Sequence, residues 1–213
     1  MAVQAKLCGL NTAEALGAAL DGGAAWVGLM FFPPSPRFVD LAQAAALSKQ
    51  AEGKAERVGV FVAPDDALLA ETLAAVPLDV IQLHGKETPE RVAEVKAGFG
   101  LPVWKAVSIS EQADVENARQ YFESADALLF DAKPPKGSVL PGGNAVSFDW
   151  TLLTGTEWPL PWLLSGGLHA GNVAEAVRLT GAAAVDVSSG VESAPGVKDA
   201  ARIRAFLDAV AAI

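Results

Sequence analysis

At 213 residues, with 51% hydrophobic and 19% charged side chains, the chain has a globular composition and enough length for one large domain with a substantial core. A net charge of −9 argues against a nucleic-acid surface and against anionic membranes, but not against an anionic small molecule, because backbone N–H groups make a site locally positive. One cysteine, Cys8, rules out an internal disulfide; with no basic stretch leading into an apolar leader and no run near the roughly 18 residues of a spanning helix, a cytoplasmic protein is expected.

Short β-branched or aromatic runs alternate with Ala/Leu-rich segments of helical period. The first strand is predicted at 3–8 (VQAKLC), followed by a helix at 12–21 that starts at Asn11-Thr12-Ala13-Glu14. A strand at 25–31 leads through the Pro-rich loop 32–40 (FPPSPRFVD) into a helix at 41–52. Strand 57–62, helix 65–75, strand 78–84 (LDVIQLH) and helix 88–98 come next, with Pro89 after Thr88 suiting the first helical position. Strand 102–107, helix 111–122 and strand 126–131 (DALLFD) precede a second long loop, 132–147. The remaining units are helix 148–153, strand 161–166, helix 170–180, strand 183–188 and helix 197–211.

Eight β units alternating with eight α units imply parallel strands joined by right-handed crossovers. Nearly continuous apolar strands fit a sheet buried on both faces. A closed barrel and a doubly wound open sheet both satisfy this order. No strand is short, charged or Pro-broken enough for an edge, which favours closure. The expectation is an α/β fold, a single (β/α)8 TIM barrel spanning residues 1–213 as one domain.

In such a barrel the active site lies at the C-terminal ends of the strands. Those ends carry Cys8, then Gln82 and His84, then Asp131, then Ser165-Gly166-Gly167, and finally Asp186, Ser188, Ser189 and Gly190; the loop after the second strand adds Arg37. Each has a plainer reading. A lone cysteine is commonly a small buried hydrophobe, Asp131 could cap a turn, and His84 could be a satisfied core histidine. His169 reads as surface. Lys105 interrupts a buried strand and either points into the site or pairs with a carboxylate. The two Gly/Ser turns, SGGLHAGN and VDVSSGVES, follow strands seven and eight, where barrels commonly hold a phosphate. Gly166, Gly167, Ser188, Ser189 and Gly190 are therefore candidate phosphate-binding residues.

The ordered motifs KLCGL, FFPPSPRFV, VIQLHG, LLFDAK…PGG…FDW, LSGGL and VDVSSGVE resemble the phosphoribosylanthranilate isomerase family from residue 6 to residue 192. The resemblance implies a (β/α)8 barrel and a cofactor-free Amadori rearrangement of N-(5-phosphoribosyl)anthranilate in tryptophan biosynthesis. It implies Cys8 as general base, Asp131 as general acid, and Arg37 on the anthranilate carboxylate; Gln82, His84 and Asp186, at the same strand ends, are expected as further substrate-binding groups. The SGGL glycines and the SSG turn would hold the phosphate.

The chemistry suits these residue types. Ring opening needs a proton on the ring oxygen, which a positioned carboxylic acid can give, and the resulting iminium acidifies the C2′ hydrogen for a base on the opposite side. An arginine fork matches a carboxylate. The sequence has no metal-spaced His/Cys cluster and the reaction requires no metal. A free cysteine titrates near 8.5 and a free aspartate near 3.9, so the thiolate would need nearby positive charge or N–H donors. Asn144 and Ala145 stand where the family usually has threonine and glycine. Three rivals remain: a histidine-pathway isomerase, which uses aspartate where Cys8 stands; an indole-glycerol-phosphate synthase, for which Lys105 alone is a candidate lysine; and a non-catalytic sugar-phosphate-binding barrel. The expected partner is a small phosphorylated substrate, with neither nucleic acid nor membrane, and the chain is expected as a monomer or homodimer.

Overall fold

Period-two alternation decides how each strand is used. In β1 (Gln4–Cys8), Ala5 and Leu7 pack outward against helices while Lys6 and Cys8 turn inward. The computed structural model describes residues 2–135, 137–138, 140–144 and 146–213, and in it β1 is followed by β2 (Trp26–Met30), β3 (Glu56–Phe61), β4 (Val80–Leu83), β5 (Val103–Ile109), β6 (Ala127–Ala132), β7 (Trp162–Leu164) and β8 (Ala184–Val187). All pair in parallel with their sequence neighbours, and β8 pairs with β1, so the sheet is a closed barrel. The inward residues Val58, Val60, Val80, Trp104, Leu129 and Leu163 fill its interior, and a larger apolar layer lies between barrel and helices.

The outer helices are α1 (Ala13–Asp21), α2 (Leu41–Ala51), α3 (Asp66–Ala75), α4 (Pro89–Phe99), α5 (Gln112–Asn117), α6 (Val173–Thr180) and α7 (Ala200–Ala211). Thr12, Asp40, Asp65, Thr88 and Asp199 each accept a first-turn N–H, a cap that contributes about 1 kcal/mol. Pro89 occupies the first helical turn, as its fixed φ favours.

Three expectations need correction. The helix expected at 148–153 is only a 3₁₀ turn, Trp150–Leu153. Asp149 accepts from both the N–H and the hydroxyl of Thr151, and the Thr154 hydroxyl donates back to Thr151 O. Such local bonds compete with helix propagation. The segment 111–122 splits into α5 and a 3₁₀ turn, Ala118–Tyr121. The last helix starts at Ala200, because Val197–Lys198 (β10) pairs antiparallel with Glu192–Ala194 (β9) around Gly196 at φ +79°. This hairpin folds back over the end of β8 and brings Lys198 and Glu192 to the rim.

Candidate active site

The inner faces of the strands converge on one cavity of about 720 Å³, measured out to solvent, which suits a small-molecule ligand. Cys8, Arg37, His84, Asp131, Asp186 and Ser188 all line it. Cys8 ends β1 and is buried. Gly9 follows at φ +72°, where a Cβ would stand 2.7 Å from the Arg37 Cδ, so the bare backbone lets the arginine stem pass over the thiol strand.

Asp131 lies inward near the end of β6 and is 6% exposed. Its Oδ1 accepts from Ala132 N at 2.8 Å and its Oδ2 lies 3.2 Å from His84 Nε2. On the other side of the ring, Gln82 Nε2 lies 2.8 Å from His84 Nδ1. With the amide set this way, Gln82 donates to Nδ1, and the histidine proton sits on Nε2 facing the carboxylate. Gln82 is fully buried and its Oε1 has no partner among the described residues. Gly142 closes over this pair: a Cβ there would lie 2.5 Å from Asp131 Oδ2 and 2.6 Å from His84 Nε2.

Arg37 is buried and doubly bonded to Glu192, through Nε at 2.7 Å and Nη2 at 2.9 Å, and Nη2 also donates to Gly143 O at 3.0 Å. Glu192 accepts Lys198 Nζ at 2.8 Å as well. Burial opposes its ionisation, but Arg37 and Lys198 outweigh that and hold the carboxyl below the ordinary carboxylate range. Asp186, on β8, accepts Lys6 Nζ at 2.8 Å and Ser165 Oγ at 3.1 Å. Burial pushes the Cys8 thiol above its ordinary value; Lys6 pulls it down, Asp186 pushes it up, and Lys198 pulls it down.

The turn residues divide. Gly166, Gly167, Ser188 and Ser189 line the cavity, whereas Gly190 faces a shallow depression beside His169 and Arg202. Gly166 and Gly167 have φ of +86° and +70°, and a Cβ would meet Ala132 N at 2.8 Å or Ser147 Cβ at 2.9 Å. These glycines are thus required by the chain path itself. A Cβ on Gly190 would run into Leu168 O, so this glycine lets the two turns close on each other. His169 is exposed, as its loop position suggests. Asn144 is bonded to Ser138 and Leu140 within its own loop; Ala145 lies outside the described residues.

Lys105 points away from the site. Trp104 and Ala106 face the barrel interior, so Lys105 faces the helices, where its Nζ meets Glu87 Oε2 at 2.9 Å and the carbonyls of Gly85 and Ala106. That removes Lys105 as the candidate lysine of the synthase rival. Sequence reasoning passed over Lys6, Lys198 and Glu192. Lys6 was within reach, since two residues before Cys8 on a strand means the same face. Lys198 carried no signal before the hairpin was known.

A family model described as N-(5'phosphoribosyl)anthranilate (PRA) isomerase matches residues 5–209. The N-(5'-phosphoribosyl)anthranilate isomerase of Paramagnetospirillum magneticum is 59% identical over 209 residues, 98% of this chain and 97% of that one. The crystal structure of phosphoribosyl anthranilate isomerase from Thermotoga maritima matches with a TM-score of 0.88 at 33% identity, over 99% of this chain and 100% of the other. A phosphoribosyl anthranilate isomerase in complex with reduced 1-(o-carboxyphenylamino)-1-deoxyribulose 5-phosphate matches at 0.84 and 32% identity, with the same coverage.

Proposed function

The chain belongs to the N-(5'-phosphoribosyl)anthranilate isomerase family, and on that footing we propose that Cys8 is the general base of its reaction and Asp131 the general acid. The reaction is the Amadori rearrangement of N-(5'-phosphoribosyl)anthranilate to 1-(2-carboxyphenylamino)-1-deoxyribulose 5-phosphate in tryptophan biosynthesis. The observation that carries the assignment is the meeting of a buried thiol and a buried carboxyl in one cavity, brought there by the non-adjacent strands β1 and β6.

Asp131 gives its proton to the ring oxygen, the ring opens to an iminium, and the Cys8 thiolate takes the C2′ proton. The carboxylate left on Asp131 is met by the His84 Nε2 proton. Gln82, donating to Nδ1, holds the tautomer that points this proton at Asp131.

Arg37 keeps Glu192 as counter-ion and exchanges the Gly143 carbonyl for the anthranilate carboxylate. Asp186 acts on substrate from the barrel floor. The Gly166-Gly167 and Ser188-Ser189-Gly190 turns hold the phosphate, with Gly190 joining the two. Residues 1–213 act as one barrel domain in the cytoplasm, as monomer or homodimer, on a small phosphorylated substrate and with no nucleic-acid or membrane partner. Among the described residues no helix is long and apolar enough to cross a membrane.

The test is loss of phosphoribosylanthranilate fluorescence on adding protein. Cys8→Ser is expected to lower turnover at least about a hundredfold with the fold intact, the lower end of general-base contributions. Asp131→Asn, nearly isosteric, is expected to bind substrate without opening it. Near wild-type turnover by either variant removes that residue from its role.

A further inference from the structure

Lys6 and Cys8 stand on the same inner face of β1, one step apart. Lys6 is fully buried, and its Nζ is held at 2.8 Å by Asp186, its direct register partner on β8. Asp186 is itself fixed by the Ser165 hydroxyl at 3.1 Å. Gly28, the register partner of Cys8 on β2, leaves the space between thiol and ammonium clear: a Cβ there would stand 3.1 Å from Cys8 Sγ and 3.3 Å from Lys6 Nζ. An ion pair on a barrel floor is no packing necessity, because apolar residues of similar volume are commonly as stable or more so. Its position directly beneath the thiol points to chemistry.

We propose that Lys6 is a positioning residue for the proton-abstracting thiol: its ammonium, anchored by Asp186, supplies fixed positive charge that favours the Cys8 thiolate against its burial. The proposal rests on Cys8 being the base. Lys6 keeps its proton throughout. Sγ takes the C2′ proton, the C–H electron pair forms the new C1′–C2′ double bond, and the iminium electrons return to nitrogen. Burial opposes the thiolate, and Lys6 is the strongest group working the other way. Asp186 on β8 disfavours the thiolate and Lys198 on β10 assists it. Gly28 brings no charge, and Arg37, His84 and Asp131 line the same cavity.

Because Cys8 is the only cysteine, the ultraviolet absorbance of thiolate titrates this one group in the substrate-free protein. Lys6→Met is expected to move the midpoint up by about one to three pH units, the range for losing an opposite charge a few ångströms away. Asp186→Asn, which removes a nearby negative charge, is expected to move it down. The rising limb of kcat/KM should shift upward in Lys6→Met by the same amount as the titration. A pair that serves only the fold predicts lost stability in both variants with the thiol midpoint unmoved, and that result overturns the proposal. If Lys6→Met does not fold, Lys6→Gln decides: a raised midpoint supports the proposal, and an unchanged or lowered one overturns it. Wild-type turnover in Cys8→Ser would instead remove Cys8 as the base, while the titration still reads the effect of Lys6 on the thiol.

Discussion

Glu192→Gln is the sharpest test of how the rim is held together. The carboxylate faces Arg37 at 2.7 Å and Lys198 at 2.8 Å and also accepts Gly196 N at 3.2 Å, in a residue only 6% exposed. The amide has nearly the same volume, so the change removes the charge, and its NH₂ must point at one of two cations. Unit charges at such distances attract by about 6 kcal/mol each at an effective dielectric of 20. Much of that offsets desolvation, and breaking a buried pair typically costs about 3–5 kcal/mol. That loss leaves a folded protein if total stability lies in the usual range of about 5–15 kcal/mol. The pH dependence is diagnostic. Because the folded carboxyl titrates below its ordinary range of about 4.3, its stabilisation is in force above that value and lost as pH falls through the lowered one. Urea unfolding of wild type and variant should therefore show a wide gap in midpoint at neutral pH that narrows below about pH 4. KM should rise too, since the Arg37 fork then loses its charged anchor. A gap absent at neutral pH, or constant on acidification, would refute the carboxylate as the counter-ion of both cations.

Gly142→Ala should lower kcat with little change in unfolding midpoint, because its Cβ would press on Asp131 Oδ2 and His84 Nε2 rather than on the core; a variant as active as wild type would mean the loop stands clear of the acid during turnover. Ser189→Asp places a like charge beside the proposed phosphate site, a repulsion of about 4 kcal/mol at 4 Å and an effective dielectric of 20. KM should rise more than kcat falls, since phosphate contacts act in ground and transition states alike, and steady-state kinetics with an unchanged KM would move the phosphate elsewhere. Ser189 is a cleaner probe than Gly167, where φ of +70° and the nearby Ser147 would strain any side chain.

The barrel was legible because its signal is redundant. Eight apolar runs separated by segments of helical period leave few topologies, and closure follows from the want of an edge. The unit at 148–153 failed because Asp149, Thr151 and Thr154 spend their polar groups locally, a competition that hydrophobic period does not register. The β9–β10 hairpin is too short to leave a pattern in sequence. Within the site, residues at strand ends were legible from position alone. Residues one step deeper, such as Lys6, required the period-two rule to be carried down into the barrel. The partnership of Arg37 with Glu192 spans 155 residues of chain and follows from nothing local.

The charges around the thiol explain how an acidic chain handles an anionic substrate. Lys6 lies beneath the cavity and Arg37 and Lys198 stand at its rim, with Asp186 and Glu192 as their carboxylate partners. With Asp131 in its proposed acid form, that cluster carries one positive charge more than it neutralises. A thiolate at Cys8, the proposed base, would balance that excess, and this works against the burial that pushes the thiol up. In the proposed reaction the C2′ proton moves to sulfur, and the excess charge then reappears beside the substrate as its own iminium is neutralised. The phosphate and carboxylate of the substrate then sit in a field that is positive locally, although the protein's net charge is −9. Net charge governs approach from a distance, and these three cations govern what happens inside the barrel.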